Sequence, residues 1–461
     1  MKQTVKFDAD LIRRYDKSGP RYTSYPTAVQ FSEAFNEKRY REIAAQTNGD
    51  DQAQPLSLYF HLPFCNTVCY YCGCNKIVTK DRSRAAPYLQ RLHQEISLQG
   101  ELFDGSRKVD QLHWGGGTPT FISHDEMRAL MAKTRQHFNL HDDDTGEYSI
   151  EVDPREVGPG TLSLLREIGF NRLSMGVQDF NPEVQKAVNR IQSKVQTISV
   201  LNEARDLGFR SINMDLIYGL PHQSVASFSE TLDQVIAADP DRLSVFNYAH
   251  LPEMFKPQRR INAEDLPSPE EKLNILQTSI DMLIDAGYVY IGMDHFAKPE
   301  DELALAQQQG SLYRNFQGYS THADCDMVGM GVTAIGSVGD SFSQNVRTEA
   351  EYVEALDQGR LPILRGYELN SDDLIRREVI TQLICHFRLD FSEIEQRYGI
   401  AFTEYFEPEL ESLSVMQQDG LLSVSDSGIE VAAVGMLLIR NICMAFDAYL
   451  NQRQQRYSKV I

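Results

Sequence analysis

The stretch FCNTVCYYCGCNK, residues 64–76, sets Cys65, Cys69, Cys72 and Cys74 within ten positions, whereas Cys325, Cys385 and Cys443 stand singly. Three chemistries use thiols at this density: a metal centre, a disulfide knot or a redox relay. The opening segment MKQTVKFDADLIRRYDKSG lacks the apolar core of a secretory signal. No run approaches the eighteen apolar residues of a membrane span. The expected compartment is therefore the reducing cytoplasm, where disulfides are rare and clustered cysteines more often bind metal or react. Structural zinc usually takes two ligand pairs separated by a longer loop, but the spacing here is C-x3-C-x2-C-x-C with no second pair. Bacterial ferredoxin runs use C-x2-C-x2-C instead. A C-x3-C-x2-C loop can hold three irons of a 4Fe–4S cubane and leave the fourth open, the arrangement that separates catalytic from structural metal sites.

Such a loop needs a scaffold, and the middle of the chain supplies a repetitive one. Short β-rich runs recur as LSLYFHLP (56–63), VDQLHW (109–114), YSIEVD (148–153), RLSMGV (172–177), INMDLIYGLP (212–221), RLSVFNY (242–248) and YVYIGM (288–293), with helix-patterned segments between most of them. This alternation predicts an α/β fold of six or seven βα units, a complete or partial TIM-like (β/α) barrel over residues 55–350. Polar groups and glycines follow the runs: GGGTPT after VDQLHW, Glu151 in YSIEVD, Gln178, Asp215, then Ala249 and His250. Barrels place their chemistry at these strand ends. Residues 351–461 read as a smaller, mostly helical domain with a hairpin at LLSVSDSGIEVA, winged-helix-like in order. Residues 1–54 form a separate extension in which SGPRYTSYPT is too rich in proline and aromatics for a regular helix. The net charge of −20 argues against nucleic-acid or membrane-surface binding. It leaves room for an anionic small molecule held by local arginines, as in IRRYDKSGPRY or KDRSR.

C-x3-C-x2-C after the first strand of a βα barrel resembles the radical S-adenosylmethionine (radical SAM) superfamily. Together SGPRYTSYPT, HLPFC, CYYCGCNK, LHWGGGTPT, SIEVDPRE, RLSMGVQDFN, DLIYGLP, FNYAHLP and GMDHFA resemble its oxygen-independent coproporphyrinogen III oxidase family, from about residue 10 to the terminal VI. The resemblance implies a partial radical SAM barrel and a 4Fe–4S cluster on Cys65, Cys69 and Cys72. S-adenosylmethionine would chelate the open iron, and an electron from the cluster would release a 5′-deoxyadenosyl radical. It further implies a first S-adenosylmethionine contacted by Tyr59, Tyr71, Gly116, Gly117, Thr118, Glu151 and Ile335, and a second by Gln178, Arg190, Asp215 and Ala249. A buried barrel tyrosine, a turn glycine, a solvent-facing arginine or a loop-capping aspartate has the same appearance in sequence. Arg21, in an extension closing over the barrel mouth, would meet the propionates of coproporphyrinogen III, and Cys74 would lie beside the cluster near that substrate. The implied partners are a reductant such as flavodoxin or ferredoxin and an unidentified electron acceptor, with a monomeric chain. The rival readings are a haem-trafficking relative, which typically lacks the fourth cysteine and SGPRYTSYPT, another radical SAM enzyme acting on porphyrins, and a plain iron–sulfur electron carrier.

Overall fold

The computed structural model describes residues 4–49 and 53–450. The terminal VI, and with it the end of the expected C-terminal domain, lies outside the described residues. Six strands, β1 (Leu56–Leu62), β2 (Lys108–Gly116), β3 (Glu147–Val152), β4 (Arg172–Gln178), β5 (Ser211–Tyr218) and β6 (Arg242–Asn247), lie side by side in chain order. All five pairings are parallel. Each strand is followed by a helix: α1 (Ala85–Gly100), α2 (His124–His137), α3 (Thr161–Glu167), α4 (Lys194–Asp206), α5 (Val225–Ala238) and α6 (Pro269–Asp285). The helix starts are written locally. Ser123 and Ser224 close reciprocal capping boxes, and Ser268 caps a helix whose first residue is proline.

Strand alternation sorts the side chains. In β5, Ile212, Met214, Leu216 and Tyr218 are buried, while Asn213 and Asp215 point to the opposite, half-buried face. The same period of two puts Tyr59 and His61, His113, Ser149 and Glu151, and Ser174 and Gln178 off the fully packed face. Under the helices lies a continuous apolar core, with Trp114 packed edge-on against Phe170 (4.8 Å) and Phe60 (6.3 Å).

The barrel stays open. The run at 288–293 forms β7 (Val289–Gly292), but it is not a seventh neighbour of the parallel set. It turns through Gly292 and Met293, both at positive φ (146° and 53°), into β8 (His295–Ala297), which inserts antiparallel between β7 and β6. On the other edge β9 (Asp326–Met330) runs parallel to β1, followed by antiparallel β10 (Ile335–Val338), β11 (Ser341–Asn345) and β12 (Ile363–Glu368). The C-terminal part carries helices from Ser371–His386 onward and a small sheet of Arg388–Asp390, Gly428–Val431 and Leu422–Val424. The two later strands are the expected hairpin, and the first adds an unforeseen third.

The N-terminal extension is clasped by that C-terminal part. Tyr15 donates to Asp419 (2.5 Å), Tyr22 to Asp447 (2.9 Å), and the Ala448 amide donates to the Tyr25 hydroxyl (3.0 Å). The Arg440 guanidinium donates to the carbonyls of Pro20 and Gly19.

Candidate active site

The cysteine loop leaves β1 and is held from three sides. Asn66 donates to Glu156 (2.5 Å), Asn189 to the Val68 carbonyl (2.7 Å) and Gln258 to the Tyr71 carbonyl (2.9 Å). Thr118 Oγ1 lies 3.8 Å from Cys65 Sγ, and Cys69 Sγ accepts from Arg155 (3.8 Å) and Arg190 (3.7 Å). Lys76 donates to the Cys72 carbonyl (3.1 Å). Burial pushes the Cys65 thiol up to about 11, whereas a hydrogen bond from Cys74, with help from Lys76, brings Cys72 down to about 5 despite burial. Three soft donors facing cations suit a polynuclear iron–sulfur centre, whose thiolates must all be ionised. The donor set therefore fits a 4Fe–4S cluster held by Cys65, Cys69 and Cys72.

The glycine loop at the end of β2 packs directly under this loop. Gly117 donates to the Leu62 carbonyl (2.9 Å) and Thr118 to the Phe64 carbonyl (2.7 Å). A Cβ on Gly117 would stand 2.6 Å from the Phe64 oxygen. Gly116, at φ 114°, donates to Glu151 Oε2 (3.1 Å), and His113 Nε2 lies 3.4 Å from Glu151 Oε1. Burial opposes the Glu151 charge, but these partners overcome it and hold the carboxyl below its usual range. Tyr59, Cys74, Gly116, Glu151 and Ile335 line one cavity of about 440 Å³. The exposed Cys74 thus stands where the cluster loop meets that cavity.

Beside the cysteine loop Arg190 is buried, donating to the Gly176 carbonyl (2.6 Å) and to Asp153 (3.0 Å), while its Nε has no protein partner. Asp153 is forked by Arg155 (2.6 Å) as well. Gly176 leaves room for both side chains, since a Cβ would stand 2.9 Å from Arg190 Nη2 and 2.7 Å from Gln178 Nε2 and make their ends shift. Gln178 itself sits at φ 68°, uncommon for a residue with a side chain. Asp215 accepts from Asn213 (2.7 Å) and Ser174 (3.1 Å), and burial, reinforced by the Glu151 charge, raises it to about 6. Tyr71 is half-buried against the charge of Arg190.

Ala249 and Arg21 line a different cavity, of about 300 Å³, with Tyr218, His250 and Arg440. Arg21 pairs with Asp294, and burial, with repulsion from Arg314 and Arg440, lowers it to about 10. Sequence reasoning missed Arg314. It is 5% exposed, lies over the Tyr319 ring (4.8 Å), and its Nε and Nη1 have no protein partner. His295 Nδ1 nearby is also unpartnered, and burial and these arginines lower the ring to about 3. His61, His113, Phe316 and Gln317, also missed, share the Tyr59 cavity. The two histidines were readable from strand alternation with Tyr59, but Phe316 and Gln317 arrive from a distant hairpin that no local pattern announces.

The Radical SAM superfamily matches residues 59–235, which span the cysteine loop and all strand-end residues up to β5. A thiol-rich loop at the head of an open parallel barrel is therefore that of a radical SAM protein. The HemN C-terminal domain matches residues 369–438. The chain is 56% identical over 462 residues to the oxygen-independent coproporphyrinogen III oxidase of Pseudomonas aeruginosa, covering 100% of both. It is 53% identical over 461 residues to that of Salmonella typhimurium, covering 100% of this chain and 99% of the relative. The structure of the Escherichia coli enzyme, described as a radical SAM coproporphyrinogen III oxidase, superimposes with a TM-score of 0.92 at 51% identity over 97% of this chain and 100% of that one. The chain belongs to the oxygen-independent coproporphyrinogen III oxidase family.

Proposed function

We propose that this chain decarboxylates two propionate side chains of coproporphyrinogen III to vinyl groups without oxygen, giving protoporphyrinogen IX. The observation that carries the reading is a loop bearing Cys65, Cys69 and Cys72, with Cys69 faced by Arg155 and Arg190, whose next cysteine, Cys74, lines the cavity of Tyr59 and Glu151. A cluster and S-adenosylmethionine bound there would supply hydrogen-atom abstraction at the propionate β-carbon, with loss of carbon dioxide and of one electron to an acceptor outside the chain.

The residues of the chain bind, orient and enclose. Cys65, Cys69 and Cys72 hold the cluster. Glu151, kept anionic by His113 and the Gly116 amide, gives the first S-adenosylmethionine a charged partner, and Tyr59 lends it a ring face. Asp215 and Gln178 serve a second S-adenosylmethionine. A tetra-anionic substrate enters a protein of net charge −20, so local cations must overcome the global field. Arg21, Arg314 and Arg440 form that positive patch, and the unpartnered Nε and Nη1 of Arg314 have hydrogen-bond capacity left for a carboxylate. Ser18 and Arg21, beside the Gly19 and Pro20 that Arg440 holds, line the cavity at the strand ends, where this part of the extension would close the mouth and keep water from the chemistry. The work is done in the cytoplasm by a monomer, with a flavodoxin- or ferredoxin-like reductant and a separate final electron acceptor. Among the described residues no helix is long and apolar enough to cross a membrane.

The test is anaerobic incubation of the reduced protein with coproporphyrinogen III and S-adenosylmethionine, beside Cys69→Ala. Protoporphyrinogen IX, carbon dioxide and 5′-deoxyadenosine are expected from the native chain and none from the variant. Haem binding without carbon dioxide release would refute the proposal.

A further inference from the structure

The far end of the barrel carries a second group of metal-binding donors, remote from the cysteine loop. Asp110 is the third residue of β2, whose other end is the glycine loop. Six residues of strand place it about 20 Å from Gly116. There the segment after Ser320 folds under the barrel and brings His322 and Cys325 to Asp110. One donor atom from each of the three lies within 4.8 Å of the other two, and all three residues are half-buried. Among the described residues this is the one His/Cys/carboxylate group gathered closely enough to share a single ion.

The surroundings favour a cation. Glu147, Asp324 and Asp326 stand around the three donors, and of these Asp326 is paired with Arg107 (2.5 Å). Glu147 accepts from Gln111 (3.1 Å) and Thr321 (3.2 Å) and lies 3.4 Å from His322 Nε2. A carboxylate on one ring nitrogen of a histidine is the usual way a metal site orients that ligand. His141 Nε2, 2.8 Å from Asp110 Oδ1, holds the aspartate in the same manner. Two of the three ligands, His322 and Asp110, thus have a partner that fixes their position.

We propose that Asp110, His322 and Cys325 bind one divalent transition-metal ion, zinc by preference. A mixed S, N, O set of three suits zinc at about 2.0–2.3 Å, with the fourth tetrahedral position left to water or to an adjacent carboxylate. The ion would be structural. It joins β2 to the segment that leads into β9, and the strand-start face of such a barrel is where stability rather than chemistry resides. Electron transfer and catalysis at the opposite face do not involve it.

The test is zinc content of the full-length, cluster-loaded chain after dialysis against buffered zinc, beside Cys325→Ser, His322→Gln and the Cys65/Cys69/Cys72→Ala triple variant. One zinc per chain is expected in the native protein and in the triple variant, with at least a tenfold loss of affinity in Cys325→Ser and His322→Gln. In the triple variant, cobalt(II) should give a thiolate-to-metal charge-transfer band that disappears when Cys325→Ser is added, and zinc should raise the melting temperature only where Cys325 and His322 are both present. His322→Gln keeps the test decisive if Cys325→Ser does not fold by circular dichroism. Equal zinc in the native chain and both single variants overturns the proposal. Loss of zinc from the triple variant does so too, since the ion would then have sat in the cysteine loop.

Discussion

Arg190 spans three groups at once: the Gly176 carbonyl, Asp153 and the sulfur of Cys69, at 2.6, 3.0 and 3.7 Å. The resemblance read from sequence makes it a contact of S-adenosylmethionine, for which its unpartnered Nε leaves a donor, and these bonds predict that it also braces the cysteine loop. Arg190→Met removes the charge and keeps much of the volume. Stranding one member of a buried ion pair costs about 3–5 kcal/mol. Asp153, however, keeps Arg155 at 2.6 Å, so the loss is confined to charged hydrogen bonds, about 1.5–3 kcal/mol. Because the lost bonds converge on Cys69 and the Asp153–Arg155 pair, the deficit should fall on cluster retention. At 1.4 kcal/mol per decade, about 2 kcal/mol is roughly a 30-fold weaker hold. The assay is iron and sulfide content after anaerobic reconstitution, with the rate of iron loss to a chelator, alongside S-adenosylmethionine binding. Native cluster retention combined with weakened S-adenosylmethionine binding would refute the brace and return Arg190 to the cofactor.

Gly117→Ala forces a Cβ to within 2.6 Å of the Phe64 carbonyl, a backbone atom that cannot swing aside. It should cost about 1–3 kcal/mol, seen as a lower melting temperature, and an unchanged melt would show that the loop yields. Glu95 is wholly buried, accepts from Tyr352 (2.5 Å), Asn345 (2.7 Å) and the Gly331 amide (2.8 Å), and is raised by burial from 4.5 to about 7. Its folded form binds the proton more tightly than its unfolded form. The contribution is therefore fully present below about pH 4.5 and lost as pH rises through about 7, a difference of about 3 kcal/mol. Denaturant unfolding at about pH 5 and about pH 8 should show this slope in the native chain and not in Glu95→Gln. An equal slope in both proteins would dismiss Glu95 as its source.

The residues that sequence made legible are those whose roles are set by near neighbours in the chain. The cysteine spacing fixes a cluster loop, and the period-two runs fix six strands and the end at which Gly116, Glu151, Gln178 and Asp215 emerge. YVYIGM reads like the earlier runs, but its place is decided by the hairpin return at His295–Ala297, which takes the position beside β6. Arg314, Phe316 and Gln317 lie in a short hairpin, Tyr313–Asn315 with Gly318–Ser320, without the length or alternation that marks a strand. Their contribution depends on sheet order and not on local pattern, as does the meeting of Asp110 with Cys325.

The clasp between the first and last parts of the chain bears on how the molecule is made. Every barrel strand and the whole cysteine loop are translated well before Asp419, Arg440 and Asp447, which fasten Tyr15, Gly19 and Tyr22. A chain still on the ribosome can thus shape its cysteine loop while the N-terminal extension is still unfastened. The clasp forms only after Asp419, Arg440 and Asp447 have been made, so a protein truncated before Asp419 would keep the barrel and leave its first segment unheld.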